Sequence, residues 1–136
     1  MATAGYSGTP LLKKLGITQS MKVQLVNVPA GYFDWLGTDL RDQLAGPADI
    51  PDFVHVFATS NAVFEMALKK LKGVYKANPQ VIIWVSWYKK SAGIPTDVTE
   101  TIIRNYALQN DLVDVKVCAV TEIWSGLKLV VPKSKR

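Results

Sequence analysis

The sequence predicts a three-layer α/β domain built on a sheet of about five strands, the first three parallel and the last two an antiparallel hairpin. Three observations carry that expectation. Residues 53–58 and 81–87 are apolar on both faces (His55 apart), as strands buried inside a parallel sheet are. Each is followed by a segment with apolar residues at helical spacing, long enough to cross back and begin a parallel neighbour. At the end of the chain this alternation breaks. Residues 112–120 and 127–131 are strand-like, but the connection 121–126 is too short for a crossover, so the chain must return antiparallel.

In order, the chain opens on a small, polar loop over 1–10. Thr9 is placed to cap a short helix with Pro10 at its first position, Leu11, Leu12 and Leu15 on its apolar side and Gly16 closing it. Residues 22–28 alternate, with Val23 and Leu25 on one face and Lys22, Gln24 and Val26 on the other, which suits an edge strand. After Pro29, residues 32–36 and 38–44 form a helical segment broken at Gly37. Thr59, Ser60 and Asn61 offer a cap to a helix over 62–75 with the stripe Val63, Met66, Ala67, Leu71 and Val74. Thr96 or Asp97 caps the next helix, with Glu100 in its first turn and the stripe Val98, Ile102, Ile103, Tyr106 and Ala107. Residues 132–136 are a basic, solvated tail.

Composition narrows the classes. The chain has 136 residues, 49% apolar and 20% charged, enough for a core in one domain. No apolar run approaches the roughly 20 residues of a membrane helix, and the start has no signal-peptide pattern. The single cysteine, Cys118, excludes an intrachain disulfide, fits a reducing, cytoplasmic setting, and sits where a buried thiol belongs. One histidine and one cysteine make a His/Cys zinc site untenable, so no metal is expected. The net charge of +5 is spread over Lys13-Lys14, Lys69-Lys70-Lys72-Lys76, Lys89-Lys90 and the tail. That is a mild bias towards anions, short of a dedicated nucleic-acid binder, and aromatic residues do not interleave with the basic helix.

Two resemblances follow from these residues. A central strand, a helix, a strand and a final antiparallel strand inserted beside the centre resemble the C-terminal half of class I methyltransferases, a Rossmann-like fold. The likeness would imply a glycine-rich loop after the first strand, but 27–32 carries one glycine and Pro29, and no acidic residue ends the next strand. Binding of S-adenosylmethionine is therefore not expected, and no cofactor is assigned. The strings Gly5-Tyr6-Ser7-Gly8-Thr9-Pro10-Leu11, Pro29-Ala30-Gly31-Tyr32, Trp84-Val85-Ser86-Trp87, Pro95-Thr96-Asp97, Val113 to Val120 and Trp124 to Val130 are similar to the bacterial domain-of-unknown-function 3052 family, nearly end to end. That resemblance implies relatives but no activity, cofactor or catalytic residue.

Ligands of open α/β sheets bind beyond the carboxyl ends of the parallel strands. Here the richest end is 86–97. Trp87 offers an apolar wall, Lys89 and Lys90 positive charge, Ser91 a hydroxyl, and Thr96 the start of a helix whose N–H groups favour an anion. Asn27 and Tyr32 lie at the end of the first strand; Ser7 and Thr9 lie in a loop able to fold over the same edge. No catalytic residue is assigned, because no Ser-His-Asp set, carboxylate pair or metal constellation is present. The expectation is a non-catalytic protein that binds a small anionic ligand or a protein partner. A diverged transferase using 86–97 is the alternative. Because right-handed crossovers in one direction share one sheet face, and the short helix 10–15 can shield only part of the other, the rest of that face is expected to be covered by a second subunit in a homodimer, with His55 and Trp124 as interface candidates.

Overall fold

The computed structural model describes residues 9–136. Residues 1–8, Ser7 among them, lie outside the described residues. The elements run α1 (Leu11–Leu15), β1 (Val23–Val26), α2 (Tyr32–Leu36), β2 (Phe53–Phe57), α3 (Asn61–Ala77), β3 (Ile82–Tyr88), α4 (Glu100–Gln109), β4 (Val113–Ala119) and β5 (Trp124–Val130), with short 3-10 turns at Arg41–Gln43, Lys90–Ala92 and Lys133–Lys135. One five-stranded sheet has the order β1-β2-β3-β5-β4. β1, β2 and β3 are parallel, while β5 is antiparallel to both β3 and β4. The last strand is therefore inserted beside the central one, the arrangement the sequence predicts.

Pleating divides β2 and β3 between two cores. Val54, Val56, Ile83, Val85 and Trp87 face α3 and α4. Phe53, Phe57 and Trp84 face the other way, into a cluster with Leu11 and Leu15 of α1, Tyr32 and Leu36 of α2, Leu40, Val120 and Trp124. This second face is covered by the chain itself, so the expected second subunit loses its physical ground. The connection from β1 to β2 is not a helical crossover on the side of α3. It is a pair of short turns, with Gly37 in the left-handed region at φ 68°, and it sends Tyr32, Leu36 and Leu40 across the opposite face. The connection then passes the sheet edge, where Leu44 bridges Val23. Trp84 is tied to this layer by its indole N–H, which donates to the carbonyl of Leu15 at 2.9 Å. Gly126 lets β5 press against β3: a Cβ there would lie 3.1 Å from Val120 Cγ2 and 3.2 Å from Trp84 Cε3.

Several boundaries and faces differ from the sequence reading. Pro10, not Thr9, caps α1. The buried stripe of α3 is Phe64, Ala67, Leu68, Leu71 and Tyr75, leaving Met66 61% exposed. The rotation buries two aromatic rings in place of Val63 and Met66, a larger apolar area removed from water. On α4 the buried pair is Ile103 and Ala107, and Ile102 turns outward. β4 is the other edge strand and carries a bulge between Asp114 and Lys116. The bulge and the edge position leave Val115 and Val117 about half exposed and Cys118 only partly buried. The tail is held: Lys135 pairs with Asp111 at 2.8 Å, and Arg136 donates to the carbonyl of Val131 at 2.9 Å.

Candidate functional site

The carboxyl ends of β1, β2 and β3 open onto adjoining clefts. The larger, about 810 Å³, lies between the end of β3 and the start of α4 and is lined by Trp87, Lys89, Lys90, Ser91, Gly93, Thr96, Thr99 and Glu100 among others. It brings Trp87, Lys89, Lys90, Ser91 and Thr96 to one place. Asn27 lines a second cleft of about 580 Å³ with Phe57, Thr59, Tyr88, Ile94 and Trp124.

The wall of the larger cleft is set by how the β3–α4 loop is pinned. Thr96 does not start α4. Its hydroxyl donates to the carbonyl of Thr59 at 2.9 Å and accepts from the Val98 N–H at 3.2 Å, fastening the loop to the end of β2. Asp97 turns away from α4 altogether. Its carboxylate accepts from the Asn61 N–H at 2.8 Å, so it caps the neighbouring helix α3 beside Ser60, whose hydroxyl accepts from the Val63 N–H at 3.2 Å. The cap of α4 lies three residues later than Thr96, at Thr99, whose hydroxyl accepts from the Ile102 N–H at 3.2 Å. Glu100 then stands at the first helical position and is engaged by Arg104, which also donates to Asp114 at 3.0 Å.

This geometry redistributes charge at the cleft. The N-terminus of α3 already has its anion in the Asp97 carboxylate. The positive charge that remains over the cleft comes from Lys89 and Lys90. Lys90 and Ser91 are exposed in the 3-10 turn that Gly93 closes at φ 69°. Burial raises the Cys118 thiol pKa, an effect that the positive charges of Lys14, Lys116 and Lys89 only partly offset. Trp87 is 8% exposed and forms the floor rather than a free stacking plate.

The remaining candidates lie elsewhere. Tyr32 is buried under α2, its hydroxyl 2.7 Å from His55 Nδ1. His55 Nε2 lies 2.8 Å from Ser86 Oγ, and both His55 and Ser86 are fully buried. This Tyr-His-Ser chain was hidden from the sequence because its members are far apart along it; only the period-two pattern, which puts His55 and Ser86 on the same face as Trp84, hints at it. Burial lowers the His55 pKa to about 3 and pushes the Tyr32 phenol well above its ordinary range. Ser86 thus belongs to the core and not to the edge. His55 is no interface residue, since Tyr32 and Phe57 pack on it. Trp124 opens β5 instead of lying in a connection, and its ring stacks on Tyr88 at 4.3 Å with Phe57 edge-on at 4.9 Å.

The turn after β1 does not fit a dinucleotide or adenosyl cofactor. Pro29 has no N–H, its carbonyl accepts from the Tyr32 N–H at 3.3 Å, and α2 is a single five-residue turn of helix. Among the described residues no group of His, Cys, Asp and Glu is placed to hold a metal ion. Likewise, among these residues, no helix is long and apolar enough to cross a membrane.

Strand order and direction define the class: a Rossmann-like α/β protein with an inserted antiparallel last strand. A solved structure shares that fold, a protein in the NADB-Rossmann superfamily from Streptococcus agalactiae. It is 12% identical, with a TM-score of 0.50, over 93% of this chain and 70% of that one. At that identity the likeness speaks for the fold alone. No protein-family model matches the chain, and no curated protein does.

Proposed function

We propose that this chain is a cytoplasmic, non-catalytic binder of a small anionic ligand, held in the cleft between the end of β3 and the start of α4. The observation that carries the reading is convergence. Lys89, Lys90, Ser91 and the Gly93 turn line one cleft over a tryptophan floor, at the sheet edge where open α/β proteins take ligands. The Asp97 carboxylate is drawn off to α3, which removes one charge that would oppose an anion. Membership of the domain-of-unknown-function 3052 family is part of the same proposal and rests on the sequence strings alone. The transferase alternative draws less support. The Ser86–His55 pair has the distance of a nucleophile and base, but both residues are sealed in the core.

The test is a titration of isotope-labelled protein with pyrophosphate, followed by backbone amide shifts. Saturable shifts are expected at Ser91, Gly93 and Thr96, weakened about tenfold or more in Lys89→Ala/Lys90→Ala. Shifts of equal size and midpoint in the variant would remove the site.

A further inference from the structure

The smaller cleft adjoins the anion cleft and is more strongly apolar. The two share Tyr88 and Ile94 in their walls. Around the smaller one stand Phe57, Val63, Tyr88, Ile94, Ile123 and Trp124, with Asn27 and Thr59 as its polar members. Its aromatic wall is rigid. Trp124 is fixed between Tyr88, stacked at 29°, and Phe57, set at 84°. Two aliphatic side chains at the rim, Ile94 and Ile123, are 39% and 44% exposed. Exposed isoleucines flanking an aromatic-walled hollow are apolar surface that a ligand would remove from water.

We infer that the ligand is a small anion carrying a flat apolar ring. Its charge lies by Lys89 and Lys90, and its ring lies in the hollow between Ile94, Ile123 and the Tyr88–Trp124 pair. This inference rests on the anion reading and adds the part of the ligand that reading leaves open. The occupant is chosen by contiguity and charge. An apolar molecule without charge would leave the lysine cleft unused, and a bare anion would leave the hollow wet. Tyr88, common to both walls, sits where the ring joins the charged group. About 580 Å³ beside about 810 Å³ admits a ring of one or two cycles with a compact anionic substituent.

The experiment compares three probes by amide shifts and by calorimetry: inorganic phosphate, phenyl phosphate and phenol. Phenyl phosphate is expected to bind about tenfold more tightly than phosphate, the gain from burying its ring. Its shifts should extend from Ser91 and Gly93 to Ile94 and Ile123. Ile123→Ser, at an exposed position that lines the hollow and not the anion cleft, should erase that tenfold gain and leave phosphate binding unchanged. Equal affinity for phosphate and phenyl phosphate, with shifts confined to Lys90–Ala92 and Gly93, would overturn the ring subsite while the anion site stands. Phenol binding as tightly as phenyl phosphate would overturn the coupling of ring to charge. Failure of phosphate and phenyl phosphate alike to shift Ser91 and Gly93 would overturn the anion reading and this inference with it.

Discussion

A histidine with no exposed surface survives in an apolar layer because both ring nitrogens meet a hydroxyl, Tyr32 on one side and Ser86 on the other. A neutral imidazole has one donor and one acceptor, and hydroxyls can serve either, so the network closes without charge. Burial holds the pKa at about 3. In the unfolded chain it returns to roughly 6.5. Because the folded value is the lower one, acid protonates the unfolded chain first. The stability associated with His55 is complete above about pH 6.5 and is lost as the pH falls towards 3. At pH 5 the loss should be about 2 kcal/mol. Urea unfolding between pH 7 and 5 should show this slope in the wild type and not in His55→Gln, which should be less stable at every pH. The same slope in both proteins would place the titration on other groups.

Among the elements, α3 depends on a residue from outside itself. Its first N–H groups are met by Ser60 and by Asp97, which arrives from the β3–α4 loop 36 positions later. Asp97 therefore caps a helix, stitches the loop to it, and supplies a negative charge at the positive end of the helix. Asp97→Ala should cost about 1 kcal/mol, and Asp97→Asn less, with the difference between them shrinking in high salt. Guanidinium is unsuitable for that comparison because it is itself a salt; urea melts at low and high sodium chloride decide it. Stability unchanged in Asp97→Ala would show that the cap is only geometric. Opening of this stitch would also loosen the wall of the cleft between β3 and α4, since Thr96 is pinned next to it.

For the molecule as a whole, the layer of α1, α2 and Leu40 covers the second face of the two-sided apolar strands. Its weakest point is α1, five residues long and joined to the sheet through Leu15, which is fully buried and whose carbonyl holds Trp84. A helix of this length is not stable alone and depends on what it packs against. Leu15→Ala should cost about 2–5 kcal/mol. It should also shift tryptophan emission to the red and raise the apparent mass in light scattering as the uncovered face seeks another cover. A destabilised variant with unchanged mass and unchanged emission would mean that α2 and Leu40 shield Trp84 without α1.

The sequence by itself determined the strand count, the parallel order of the first three strands and the antiparallel return. These follow from local signals: apolar runs of strand length, helical spacing between them, and a connection too short to cross over. It also located the cluster Trp87, Lys89, Lys90 and Ser91, because those residues are neighbours along the chain and must lie together at one strand end. Only the tertiary structure decided what covers the second face, because the path of a short connection is set by which buried surface it can reach, not by its own periodicity. The same holds for Thr96 and Asp97. Both are good caps for the helix that follows them, but the end of β2 and the first turn of α3 come within hydrogen-bonding distance and claim them first. Long-range partners of this kind, Tyr32 with His55 and Ser86 among them, are fixed by packing and leave almost no trace in local spacing.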